Sequence, residues 1–165
     1  MERRTARCCC GDLSITVTGE PRYIHRCSCD HCQRRTGSVF QVSCWYPEAQ
    51  VAERKGEFRV YQGRPRLERA YGQVGREAPE QVIDHKFCVR CGSTVYWEIP
   101  LPPGTLGPEE VIIVAIAVGC FFEADFPMPD EDHYVQDRHA WIPPIEGAAE
   151  FETMPPAQDL TPEME

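Results

Sequence analysis

The chain has 165 residues, 42% of them hydrophobic and 26% charged, with 12 Gly, 15 Pro and 10 Cys. That length fits one domain with a core of its own, and the composition excludes disorder throughout. The net charge of −9 is unevenly placed: residues 120–165 hold 12 acids against Arg138 alone, and no basic surplus remains to displace counterions from nucleic acid.

The N-terminus, Met-Glu-Arg-Arg-Thr-Ala-Arg, lacks the apolar stretch of a secretory signal. The reading is therefore a soluble cytoplasmic protein, in which ten cysteines stay reduced and are free for metal. Cys8, Cys9 and Cys10 come first, closed by Gly11, whose freedom at positive φ lets the backbone turn so that two sulfurs approach one ion. Residues 13–18 then alternate apolar and polar, a half-buried strand.

The second cysteine group is Cys27, Cys29 and Cys32. Asp30 is placed to cap a short helix from His31 to about Arg35, which Gly37 ends, so Cys32 falls in its first turn. Arg26, Arg34 and Arg35 flank the group and are suited to offset thiolate charge or to hold an anionic substrate. Residues 39–46 and 58–61 read as strands, 72–81 as a loop, and 82–87 as a strand leading into the third group. That group is Cys88 and Cys91, again closed by Gly92.

Residues 94–99 and 111–118 are further strands, with a loop at 100–110 between them. Residues 111–118 are uniformly apolar, which suits a central strand; eight residues are far too few for the ~20 of a membrane helix. Residues 127–132 read as loop, and 143–165 as an acidic, Pro-rich tail whose last ten residues fray. The domain itself is set at 1–142. His25, His85, His133 and His139 read as structural or exposed, Trp45, Trp97 and Trp141 as core aromatics, and Cys44 and Cys120 as small buried hydrophobes.

Donor counting divides the cysteines. Cys8 and Cys10 make one half-site and Cys88 and Cys91 the other, giving four thiolates and a closed, structural zinc site. Cys27, Cys29 and Cys32 make three. Either a substrate atom is the fourth ligand, as in catalytic zinc sites, or Cys9, Cys44, Cys120 or His31 closes a second inert site. A soft three-thiolate zinc is better matched to a substrate thiol than to water.

In this order, Cys8-x-Cys10-Gly11, Cys27-x-Cys29-x-x-Cys32, Arg35-Thr36-Gly37 and Phe87-Cys88-x-x-Cys91-Gly92, the chain resembles the glutathione-dependent formaldehyde-activating enzyme family, which also includes centromere protein V. His133-Tyr134-Val135, with Arg138 and Trp141, resembles that family's C-terminal signature. The resemblance implies a mainly β, single-domain β-tent fold of antiparallel sheets with two zincs. One would be structural, on Cys8, Cys10, Cys88 and Cys91, and one catalytic, on Cys27, Cys29 and Cys32. It also implies carbon–sulfur lyase chemistry that interconverts S-hydroxymethylglutathione with glutathione and formaldehyde. Asp30, His31 and Ser38 are candidate proton carriers by proximity. Cys9 is a possible competing ligand, and the acidic tail lies outside the resemblance. The rival expectation is a non-enzymatic zinc module that presents its sheet to a protein partner.

Overall fold

A computed structural model describes residues 2–63, 83–101 and 111–155. The loop expected at 72–81, nearly all of that at 100–110 and the last ten residues lie outside them. The architecture is mainly β, in two sheets. The strands are β1 (Arg3–Arg7), β2 (Ser14–Thr18), β3 (Tyr23–Cys27), β4 (Gln41–Pro47), β5 (Val51–Lys55), β6 (Phe58–Gly63), β7 (Ile83–Cys88), β8 (Thr94–Leu101), β9 (Val111–Ala117), β10 (Glu131–His133) and β11 (Ala149–Phe151). Among the described residues the α-helix is α1, Asp30–Thr36. It is far too short to cross a membrane.

The small sheet runs β1-β2-β5 and is antiparallel. The large sheet runs β11-β10-β3-β4-β9-β8-β7-β6. Its parallel pairings among the described strands are those of β10 with β3 and with β11.

Strand periodicity gives the large sheet two different faces. Ile24, Cys44, Tyr46, Tyr96, Val114 and Ile116 project to one face and pack with Ala6, Ile15 and Val17 of the small sheet and with Leu13 just before β2. This is the main core. Trp45, Trp97, Ile99, Ile113 and Ala115 form a second buried cluster on the other face, with Tyr23 against it. Ile113 to Ile116 on β9 are buried on both faces, which accounts for the unbroken apolar run in this strand.

Several elements differ from expectation, each for a tertiary reason. Glu131–His133 is a strand rather than loop, because Ile24 N–H donates to Asp130 Oδ2 (3.0 Å) and Arg26 grips Asp132 across the pair. β3 reads as polar because its buried positions include His25 and Arg26, both partnered inside the protein. Within the acidic segment, Ala149–Phe151 extends the sheet by pairing with β10. Trp141 is 68% exposed, not a core aromatic; its ring lies 5.7 Å from that of His139. Cys44 is buried as expected, and Cys120 partly so.

Candidate functional site

The first cysteine group is built from two similar turns. After β1, Cys8 N–H donates to Leu13 O (2.9 Å) and Gly11 N–H to Cys8 O (3.0 Å). After β7, Cys88 N–H donates to Ser93 O (3.0 Å) and Gly92 N–H to Cys88 O (2.9 Å). Gly11 and Gly92 both have positive φ, 82° and 75°. Each turn therefore folds its cysteines inward in the same way. The four sulfurs of Cys8, Cys10, Cys88 and Cys91 lie within 4.8 Å of one another. Cys8 Sγ is 3.5 Å from Cys10 Sγ, which is 3.7 Å from Cys88 Sγ. A tetrahedron with ~2.3 Å metal–sulfur bonds has edges of about 3.8 Å, so the donor set fits zinc. Cys9 is exposed and outside the group; its N–H donates to Ser93 Oγ (3.2 Å).

Cys27, Cys29 and Cys32 form the second group, again with sulfurs within 4.8 Å of one another. Cys27 ends β3. Cys29, not Asp30, is the N-cap of α1: its sulfur accepts Cys32 N–H at 3.4 Å. The helix ends as expected at Gly37, whose φ is 69° and whose N–H donates to Gln33 O (2.9 Å). Among the described residues no fourth Cys, His, Asp or Glu joins this group. Cys44 and Cys120 turn to backbone carbonyls of Ile116 and Thr94. His31 turns to His85, Nε2 to Nε2 at 3.2 Å.

Mutual hydrogen bonds and burial drive the three thiols apart in pKa. Hydrogen bonds from Cys27 and Cys32 hold Cys29 down at about 3. The hydrogen bonds to Cys29, that to Cys32 and burial push Cys27 well up. For Cys32 the bond to Cys27 acts downward, but the bond to Cys29 and burial outweigh it, and the thiol rises to about 12.

A cavity of about 470 Å³ adjoins α1 and is lined by Asp30, His31, Arg34, Arg35 and Tyr61 among others. Ser38 is exposed and is not among its walls. Arg34 also lines a second cavity of about 270 Å³, with Asp30, Gln33 and His139. The guanidinium of Arg35 lies over the Trp97 ring, 5.0 Å from its centroid, and its Nε and Nη2 are buried with no hydrogen-bond partner among the described residues.

Beside Cys27, which pairs with His133 across β3 and β10, lies a group of which the sequence reading singles out only His25 and His133, as structural or exposed. Tyr23 hydroxyl, His133 Nε2 and Glu131 Oε2 meet at 2.5–2.6 Å. His133 stacks on His25 at 4.7 Å, and His25 Nε2 lies 3.3 Å from Ser43 Oγ. The spacing of Glu131 and His133, two apart on a strand, is too ordinary to have signalled it.

The family model described as glutathione-dependent formaldehyde-activating enzyme matches residues 3–137. Among solved structures, the chain is similar to a crystal structure of a Rhodobacter sphaeroides protein, at 20% identity and a TM-score of 0.42, covering 70% of this chain and 85% of that one. No curated protein matches it.

Proposed function

The chain belongs to the glutathione-dependent formaldehyde-activating enzyme family, and on that premise we propose that it is a zinc-dependent carbon–sulfur lyase acting on a glutathione adduct such as S-hydroxymethylglutathione. The observation that carries this reading is the unequal donor count: four sulfurs in one group, three in the other, with the helix of the second group walling a cavity. Cys8, Cys10, Cys88 and Cys91 would hold a structural zinc, and Cys27, Cys29 and Cys32 a catalytic one. With three protein donors, zinc supplies a soft Lewis acid that favours the thiolate form of a substrate thiol.

The chain's own residues do the rest. Arg34, exposed and lining both cavities, offers its guanidinium to the carboxylates of the tripeptide. Asp30 and His31 are the groups on the cavity wall able to take a proton from an incoming thiol. Burial is the largest cause of the lowered His31 pKa, and its Nε2 lies 3.2 Å from His85 Nε2. The ten cysteines are all free thiols, which suits the reducing cytoplasm.

The test is exchange between formaldehyde and S-hydroxymethylglutathione, followed by NMR for the wild type and Cys32→Ser. The reading expects exchange above the buffer rate with the wild type and buffer-rate exchange with the variant. Wild-type exchange at the buffer rate would reject it.

A further inference from the structure

Glutathione adds to an aldehyde by forming a carbon–sulfur bond while the carbonyl π pair moves onto oxygen. The developing charge is a small alkoxide one bond from the reacting carbon, and in cleavage the same oxygen sheds its proton before the carbon–sulfur bond breaks. An enzyme gains most by placing desolvated donors where that charge forms.

Arg35 has the required properties. It lies three positions after Cys32 on α1, so both side chains share one side of the helix. It is also one of the walls of the cavity beside α1. Other guanidiniums of this acid-rich chain meet carboxylates: Arg26 meets Asp132, Arg54 meets Glu48, and Arg138 meets Asp132 and Glu150. Arg35 instead keeps Nε and Nη2 buried and, among the described residues, without a partner, with Trp97 stacked against the guanidinium. Those two nitrogens form one side-on fork. Arg26 uses the same pair, Nε and Nη2, to grip both oxygens of Asp132. A desolvated cation with an unused fork is costly to maintain, and it is matched to an anionic oxygen that arrives only during reaction.

We propose that Arg35 is the oxyanion-binding residue of this site, its Nε–H and Nη2–H donating to the carbonyl-derived oxygen of the adduct, while Arg34 at the exposed mouth serves the peptide carboxylates. This rests on the glutathione-adduct reading above. In the addition direction, sulfur supplies the electron pair of the new bond, oxygen receives the π pair, and solvent supplies the proton that completes the hydroxymethyl group. Cleavage is the reverse.

Binding tests it without turnover. S-hydroxymethylglutathione, held as adduct by excess formaldehyde, and S-ethylglutathione under the same formaldehyde are titrated calorimetrically into wild type, Arg35→Gln, Arg35→Lys and Arg34→Gln. The two ligands match in size and differ in the oxygen. Wild type is expected to prefer the hydroxymethyl compound by roughly 10-fold or more. Arg35→Gln should abolish that preference, Arg35→Lys should retain part of it, and Arg34→Gln should weaken both ligands equally. An equal loss of both ligands in Arg35→Gln would overturn the assignment and make Arg35 a carboxylate clamp. A preference that survives in Arg35→Gln would overturn it too. Failure of either glutathione compound to bind wild type would reject the underlying reading along with it.

Discussion

Cys10 and Cys88 are 78 positions apart in the chain, yet their sulfurs stand 3.7 Å apart. Cys10 lies in the turn that follows β1 of the small sheet, and Cys88 ends β7 of the large one. One ion on this group would therefore pin the two sheets together at one end of the main core, and its binding energy would be folding energy. The second group sits on β3 and α1 alone, within the large sheet and its helix. The two groups should respond differently to loss of a ligand. Cys88→Ser is expected to lose one metal and at least about 3 kcal/mol of stability, or to fail to fold. Cys29→Ser should lose one metal and keep the same circular dichroism spectrum. Metal content by mass spectrometry together with thermal unfolding checks both.

The sequence reading succeeded where chemistry is local. Three cysteine groups, two of them closed by a glycine, are legible because both the sulfurs and the turns that aim them lie within five residues or so. The alternation in β2 and the unbroken apolar run of β9 were legible for the same reason. What it missed depends on partners far along the chain. Tyr23 finds Glu131 across 108 positions, and β10 forms because Asp130 and Asp132 meet Ile24 and Arg26 of β3. Arg34 and Arg35 both read as flanking cations in the sequence, and the contact of Arg35 with Trp97 is what sets its guanidinium apart from the exposed Arg34.

Gly56 joins β5 to β6 at φ +90°, and a Cβ there would stand 1.9 Å from the backbone oxygen of Asp12, in the turn of the first cysteine group. Neither backbone can yield cheaply. Gly56→Ala should cost about 2–4 kcal/mol, combining strain at positive φ with steric overlap. Urea unfolding measures it. Gly92→Ala has the positive φ without the overlap, since nothing lies within 4 Å of its Cβ position, and should cost clearly less.

Burial is the main cause holding the imidazole of His85 down at about 3, with the charge of Arg35 acting in the same direction. Its folded value lies below the ~6.5 of an unfolded chain, so the unfolded state takes up a proton that the native state refuses. The stability contributed by keeping it neutral is complete above pH ~6.5 and declines as pH falls from there toward 3. The decline approaches about 1.4 kcal/mol per pH unit for one such group. Urea midpoints of wild type and His85→Gln, compared from pH 7.5 to 4.5, should converge on acidification. A gap that stays constant over that range would contradict it.

Asp132 is fully buried between two guanidiniums: Arg26 Nε donates to Oδ1 at 2.9 Å and Nη2 to Oδ2, and Arg138 Nη1 donates to Oδ2 at 2.6 Å. Arg26 also donates to Pro143 O at 3.0 Å, so one carboxylate holds β10 beside β3 and draws in the chain beyond Trp141. Asp132→Asn preserves the shape but leaves two cations facing a neutral amide, at a cost of about 3–5 kcal/mol. The sign of its pH dependence separates this from the His85 effect. Burial pushes the Asp132 carboxyl up, but hydrogen bonds from Arg26 and Arg138 outweigh it and its pKa is lowered. That contribution is fully present above the unfolded value of ~3.9 and is lost only as pH falls through the lower folded value. The stability gap between wild type and Asp132→Asn should therefore be flat from pH 8 to 5, where the His85 gap is already closing, and should narrow only below about pH 4. Paired urea titrations of the two variants on one pH grid would show the two transitions apart; a coincident onset would mean that the Asp132 clamp and the His85 site open as one unit.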